Sequence, residues 1–122
     1  MLQKVNLREK FSRLSKPWVP HVVGEVADQF VKVVTFEGEY VWHSHENEDE
    51  MFLVIEGEVV VQLRDGNVTL REGEFLVVPK GVEHRPVARA EAKVLLFEPS
   101  TTRNTGGEDH RYTIEPDQLE RL

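Results

Sequence analysis

Two histidines separated by one residue, His43 and His45, stand in a strand-like run of the sequence, residues 40–45. In a β-strand, residues i and i+2 project from the same face, so the two imidazoles would lie side by side, as chelation of a metal ion requires. Glu50 begins the apolar run that follows the acidic residues 46–49. If that run pairs antiparallel with the histidine strand, its carboxylate reaches the same pocket. The spacing therefore predicts a metal-binding cluster containing both imidazoles and this carboxylate.

The elements that must position this cluster are short strands. From about residue 22 to residue 98, Val-, Phe- and Ile-rich runs alternate at period two and are separated by glycine-containing turns, a pattern typical of a sandwich or barrel. No helix-length insert separates the runs, which argues against a parallel sheet. Residues 6–14 have the spacing of a short helix capped by Asn6, and residues 116–122 predict one or two further helical turns. We expect a single all-β domain over residues 1–122, with a barrel core at 22–98, an N-terminal arm at 1–21 and a polar tail at 99–122.

Two glycine-containing motifs surround the candidate ligands. The first consists of Gly38, His43, His45, Glu50 and Gly57, and the second of Gly73, Pro79, Gly81 and His84. In type and spacing these residues resemble the two motifs of the cupin superfamily. The chain departs from the family pattern twice: four residues instead of five separate Gly38 from His43, and Ala88 stands where the second motif ends in Asn.

The resemblance implies a small, single-domain antiparallel jelly-roll β-barrel (RmlC-like). It also implies that His84 joins His43, His45 and Glu50 as the fourth ligand of one divalent transition metal. Three imidazoles and one carboxylate suit Mn, Fe, Co, Ni, Cu or Zn, whereas calcium and magnesium favour more oxygen ligands. Single-barrel cupins commonly form homodimers through sheet edges and exchanged terminal strands, so we expect a dimer with residues 18–23 as the exchanged segment.

The pocket around the metal is expected to be apolar. Continuing the alternation from Glu50 predicts inward-facing side chains at Phe52, Val54, Val59, Val61, Phe75 and Val77. Glu83, beside His84, is a candidate acid or base. We expect a small metalloenzyme of the dioxygenase or isomerase type that acts on a small oxygen-bearing ligand. A non-catalytic module that binds or senses a small molecule through its metal is the alternative, and a purely structural metal is the third possibility.

Charge and composition exclude other classes. The 22 acidic residues against 15 basic ones give a net charge of −7, and no Lys/Arg cluster offers the cationic surface that nucleic acids require. The longest apolar run, residues 75–78, is far shorter than the roughly 20 residues of a membrane span, so no membrane partner is expected. With no signal-like N-terminus and no cysteine, we expect a cytoplasmic protein without disulfides or thiolate metal sites.

Overall fold

The computed structural model describes residues 2–122 and consists mainly of antiparallel strands. The predicted all-β fold is confirmed, with one short helix before the strands and one 3₁₀ turn after them. In chain order the elements are α1 (Leu7–Phe11), β1 (His21–Val26), β2 (Gln29–Glu39), β3 (Glu50–Glu56), β4 (Val59–Leu63), β5 (Gly66–Leu70), β6 (Phe75–Val78), β7 (His84–Pro99) and a 3₁₀ turn (Pro116–Gln118). Within residues 2–122, no helix has the length and apolar character needed to span a bilayer.

Strand β7 pairs with three other strands of the barrel. Its 16 residues pair antiparallel with β2 over most of their length, with β3 near the C-terminal end and with β4 at the N-terminal end. The remaining strands extend this arrangement in the order β1-β2-β7-β3-β6, while β5 pairs with β4. Because successive side chains alternate between faces, every second position from Val94 to Glu98 is buried inside the barrel.

Valine and aromatic side chains of β2, β3 and β4 fill the interior. Phe36, Phe52, Val54, Val59 and Val61 all have at most 4% of their surface exposed. Gly57, the last residue of the first motif, has a φ of +92°, and a Cβ there would lie 3.1 Å from the Cα of Ala92. A glycine is required at this turn because both the dihedral angle and the close approach of β7 exclude a side chain.

The facing of β6 differs from the prediction. Phe52 lies opposite Leu76, and Glu50 lies opposite Val78. Directly opposed residues of paired strands share a face, so Leu76 and Val78 turn inward with the site. Phe75 and Val77 are therefore on the outer face, 61% and 47% exposed, and the prediction that they line the pocket is wrong. The turns between β4 and β6 change the parity of the alternation, which a continuous period-two pattern does not reveal.

The N-terminal arm packs against its own barrel. As predicted, Asn6 caps α1: its side-chain oxygen accepts a hydrogen bond from the Glu9 backbone N–H at 3.0 Å. Further along, Trp18 is buried and stacks on Phe36 and Tyr40, with ring centroids 4.5 and 4.6 Å apart. Part of the segment expected to exchange between subunits thus supplies core contacts within its own chain.

The polar tail folds back over the barrel. Tyr112 stacks on Tyr40 with ring centroids 5.7 Å apart, and Arg121 forms an isolated parallel bridge with Val22. Arg103 holds the tail together by pairing with Asp109 and Glu115 and by donating to two backbone carbonyls. Of the predicted helical turns, the structure contains the 3₁₀ turn at Pro116–Gln118.

Candidate metal centre

The four candidate ligands converge from three parts of the chain. Glu50 is the first residue of β3 and His84 the first residue of β7. His43 and His84 form an isolated antiparallel bridge with backbone N–H to carbonyl distances of 3.1 and 2.9 Å. Residues 40–45 do not form the expected continuous strand. The His45 carbonyl instead accepts from the Gly81 N–H at 2.8 Å, so the turn before His84 anchors this segment.

The side chains nevertheless meet as the sequence predicts. One potential ligand atom from each of His43, His45, Glu50 and His84 lies within 4.8 Å of all the others, and all four residues are buried. Oε1 of Glu50 lies 3.2 Å from Nε2 of both His45 and His84. A buried group of three imidazoles and one carboxylate could bind a metal ion, since its donors share one small volume.

Backbone carbonyls fix the tautomers of two imidazoles. Nδ1 of His43 is 2.8 Å from the Val41 carbonyl, and Nδ1 of His84 is 2.9 Å from the Val82 carbonyl. A carbonyl only accepts, so each Nδ1 carries the hydrogen and donates it. In the neutral ring this leaves the lone pair on Nε2, which is the arrangement of a histidine metal ligand with an outer hydrogen-bond partner.

Burial and mutual charge give the ligands different protonation behaviour. Burial, together with the neighbouring His84, lowers the pKa of His43 to about 4. Burial opposes the ionisation of Glu50, but the imidazoles of His45 and His84 beside it outweigh this effect and hold the pKa of the carboxyl well below its usual range. Burial also lowers the pKa of His84, but the hydrogen bond and charge of Glu50 outweigh this effect and raise it overall. Glu50 in the site therefore favours the ionised form and His43 the neutral form. His84 keeps its proton to a higher pH than an ordinary histidine does.

Metal affinity should fall as the pH is lowered through the raised pKa of His84. Below that pKa an ion must displace the His84 proton, so the affinity for Co²⁺ should decrease by about tenfold per pH unit and become nearly constant above it. Calorimetric titration in buffers of different ionisation enthalpy measures both the affinity and the protons released. An affinity that does not change between pH 5.5 and 8 would contradict this prediction.

The stability of the metal-free protein should also depend on pH. His84 contributes stability that is present below its ordinary pKa and is lost as the pH rises through the raised value. His43 acts in the opposite direction, because the unfolded chain takes up a proton between its ordinary pKa of 6.5 and about 4 that the folded chain does not. The two contributions act in adjacent pH ranges, so together they stabilise the metal-free protein most near pH 6.5, and urea titration at several pH values measures the decline on either side.

One orphaned polar atom supports the fit of an ion to these residues. Nε2 of His45 is buried and has no hydrogen-bond partner among residues 2–122, despite its proximity to Glu50. Buried polar atoms normally have a partner, because leaving one without a partner costs free energy. A cation bound by His43, His45, Glu50 and His84 would give this nitrogen a partner and would be coordinated by the other three side chains as well.

An aromatic cavity adjoins the cluster. Its empty space amounts to about 330 Å³, part of which is open to solvent, and its wall includes His43 and Glu50 together with Trp18, Phe36, Tyr40 and Phe52. Phe52 lies in the wall, as expected. Three of the four predicted pocket valines, Val54, Val59 and Val61, are buried in the core and are absent from the cavity wall. The large side chains of the arm and of β2 form this wall in their place.

Glu83 lies outside the site, contrary to its candidate role as an acid or base. Its side chain is 53% exposed and pairs with Arg64 at 3.2 Å, and the Arg64 guanidinium in turn lies 3.8 Å from the Trp42 ring centroid. His84 begins β7 with its side chain buried, so the residue immediately before it projects to the opposite side.

Sequence reasoning missed a second buried charged pair. Nζ of Lys32 on β2 and Oε1 of Glu98 on β7 are 3.0 Å apart, and both side chains are 1% exposed. Met51 pairs with Phe97, so Glu50 and Glu98 stand at the next opposed positions of β3 and β7, on the same inward face, and both are buried. Burial and the charge of Glu50 raise the pKa of Glu98 well above its usual range, although Lys32 opposes the rise. The sequence signal that could have revealed this pair is a charged residue at an inward-facing position in each of two apolar strands.

Comparison with known proteins identifies the family of the barrel. Residues 29–98 match the model of the cupin domain family. Over 64 residues the chain is 41% identical to the uncharacterized protein YdbB of Bacillus subtilis (strain 168), a match covering 52% of this chain and 57% of that protein. The matching region therefore spans little more than half the length of this curated relative.

Solved structures extend the similarity over most of the barrel. A cupin-2 domain containing protein from Shewanella frigidimarina NCIMB 400 superposes with a TM-score of 0.77 at 46% identity, covering 78% of this chain and 93% of that one. The fold is also shared with hydroquinone 1,2-dioxygenase PnpCD, solved with Cd²⁺ and 4-hydroxybenzonitrile, at 24% identity and a TM-score of 0.65, with 77% of this chain and 71% of that chain covered. The fold, the two motifs and the family match agree that this chain belongs to the cupin family.

Proposed function

We propose that this cupin is a metal-dependent enzyme of the dioxygenase or isomerase type, acting on a small oxygen-bearing molecule in its aromatic cavity. One observation carries the proposal: His43 and Glu50 belong both to the four-ligand cluster and to the cavity wall. A molecule in the cavity would therefore be next to the bound ion. A divalent transition metal would supply Lewis-acid polarisation and a template for orienting oxygen ligands.

The wall of the cavity favours a planar, weakly charged substrate. Trp18, Phe36, Tyr40 and Phe52 offer aromatic surface, and among residues 2–122 no lysine or arginine belongs to the wall. A highly phosphorylated ligand would lack cationic partners there. Burial, followed by the charges of Glu50 and Glu98, raises the pKa of Tyr40, so its phenol stays protonated and can donate a hydrogen bond. The chemistry fits an aromatic or enolisable molecule that reaches the metal through one or two oxygens.

The experiment begins with the metal and ends with turnover. Untagged protein should contain about one transition-metal ion per chain by inductively coupled plasma mass spectrometry, because the cluster offers one set of four donors. The metal-loaded protein is then assayed with catechols, hydroquinones, 1,2-dicarbonyls and keto acids, with oxygen uptake and product formation as readouts. Catechols and hydroquinones come first because a hydroquinone dioxygenase has this fold. Oxygen uptake that requires the metal and disappears in His45→Ala would support the oxygenase assignment.

A metal-dependent binding or sensing role is the second candidate. The finding that favours it is the exposure of Glu83, which removes the acid–base residue expected beside the metal. Binding of a panel compound, detected as a metal-dependent rise in melting temperature, without turnover of any compound would favour this role. Protein that carries no metal and gains none on incubation with Mn²⁺, Fe²⁺, Co²⁺, Ni²⁺ or Zn²⁺ would contradict both candidates.

We further propose that the chain forms a homodimer through the outer apolar face of the β6-β3-β7 sheet. Val77 opposes Met51, which opposes Phe97, and Phe75 opposes Leu53, so these side chains share one face across three strands. Phe75 and Val77 are the most exposed part of this face. An apolar strip of this kind on a small β-protein is suited to a second copy of itself, which would cover it isologously.

The dimer should dissociate when this face becomes charged. Phe75→Asp/Val77→Asp should convert a dimer of twice the 14.1 kDa chain mass into a monomer, measured by light scattering at matched concentrations. Val26→Asp is the control, since Val26 is an equally exposed valine (57%) on β1. A double variant that remains dimeric, or wild-type protein that is already monomeric, would contradict this interface.

A further inference from the structure

The buried Lys32–Glu98 pair lies outside the four ligands and outside the cavity wall. Both groups are almost completely withdrawn from water, and burying two charges costs several kcal/mol per ion before their attraction offsets it. Replacing such a pair by well-packed apolar residues is often neutral or stabilising. Stability of the barrel is therefore a weak reason for a lysine and a glutamate at these two positions.

The position of the pair relates it to the metal cluster. Lys32 reaches Glu98 from β2, and Glu98 stands opposite Glu50 in the β3–β7 pairing, on the same buried inward face. Oε1 of Glu50 then faces both His45 and His84. Buried polar side chains thus form a row from the Lys32 ammonium to the ligand atoms. Oε2 of Glu98, the oxygen that Lys32 does not contact, is buried and has no hydrogen-bond partner among residues 2–122.

We propose that Lys32 and Glu98 are positioning residues of the metal centre. Lys32 fixes the carboxyl of Glu98, and Glu98 holds the Glu50 side chain in the orientation that presents Oε1 to the metal position. This inference rests on the proposed metal-binding function. Outer partners of metal ligands commonly contribute about 10- to 100-fold to affinity because they orient the ligand and tune its basicity.

Co²⁺ binding provides the test, because its visible absorption reports ligand geometry independently of activity. The variant Lys32→Met/Glu98→Leu removes both charges together and leaves neither one buried alone. Its Co²⁺ dissociation constant, measured by chelator competition, should rise about 10- to 100-fold, and its absorption bands should shift. The metal-free variant should melt at or above the wild-type temperature, since the change replaces an ion pair by apolar side chains.

The matched control is Glu56→Gln/Lys93→Met. This pair also joins β3 to β7 at 3.0 Å, but it is partly exposed. We expect wild-type affinity and wild-type bands from it. Unchanged affinity and bands in Lys32→Met/Glu98→Leu would overturn the inference, as would an equal loss in the control. If wild-type protein binds no Co²⁺, the proposed metal-binding function itself fails, which is a distinct result.

A second variant keeps the test decisive if the first does not fold. Lys32→Gln/Glu98→Gln removes the charges but preserves a hydrogen-bonding pair of similar size. Circular dichroism establishes whether each variant is folded before metal is added. The glutamine pair should also bind Co²⁺ at least several-fold more weakly than wild type, because it lacks the charge-assisted hydrogen bond by which Lys32 fixes the Glu98 carboxyl. Affinity within twofold of wild type in this folded variant would overturn the inference.

Discussion

His84→Ala should lose stoichiometric metal binding, with an affinity reduced by more than about 100-fold, beyond the range for changes to outer partners. The substitution removes a donor that is fully buried and held by the Val82 carbonyl, and it leaves three of the four ligands. It also removes one of the two imidazoles that contact Oε1 of Glu50. Metal content after dialysis and Co²⁺ titration of the folded variant measure the loss.

His110→Ala is the matched control for this variant. His110 is an exposed tail histidine whose ring packs beside Tyr112, with centroids 5.0 Å apart. Its replacement should leave metal content and affinity unchanged. Equal metal content in wild type, His84→Ala and His110→Ala would show that the ion binds elsewhere, and the four-ligand site would then be wrong.

Gly106→Ala should be strongly destabilising even though the residue lies in the polar tail. A Cβ at this position would overlap the Ser44 carbonyl oxygen and lie 3.0 Å from the Ser44 carbonyl carbon, and the φ of +61° adds backbone strain. Overpacking and left-handed strain together should lower the free energy of unfolding by about 3 kcal/mol. Because Ser44 separates two of the ligand histidines, displacement of this contact should also weaken metal binding.

Gly107→Ala provides a control at the adjacent position. A Cβ on Gly107 would have no heavy atom within 4 Å, so its free energy of unfolding should stay within about 0.5 kcal/mol of wild type. Urea titration with tryptophan fluorescence compares the two variants, since Trp18 lies in the core. If both variants unfold at the same denaturant concentration, Gly106 does not pack against the Ser44 backbone as closely as the structure indicates.

The four metal ligands could be predicted from the sequence because the spacings that identify them are short. His43 and His45 are one residue apart, Glu50 follows within a short loop, and Gly81 sets the turn before His84. These spacings predict convergence even though residues 40–45 do not form a regular strand. The fold class was equally accessible, because a period-two pattern interrupted by glycine turns persists over most of the chain.

The pocket required long-range information that a single sequence does not provide. Phe75 and Val77 follow two turns after β4, and a change of one residue in the turns reverses which side chains face inward. Trp18 reaches the cavity only because the arm folds onto β2, and Asn104 reaches it only because the tail folds back. Lys32 and Glu98 are 66 positions apart, so neither explains the other until the β2–β7 pairing is known.

The late position of β7 in the chain has a consequence for folding kinetics. During synthesis, β2, β3 and β4 emerge from the ribosome well before their shared partner strand, and the edge of each that faces β7 stays unpaired until it arrives. Such non-local pairing slows folding and prolongs the exposure of aggregation-prone edges. The chain loses conformational entropy on closing the long loops before the new strand contacts can stabilise it. Since the last ligand also begins β7, an ion would find its full binding site only after the barrel closes. Metal availability would then govern how slowly the finished barrel unfolds more than how fast it forms.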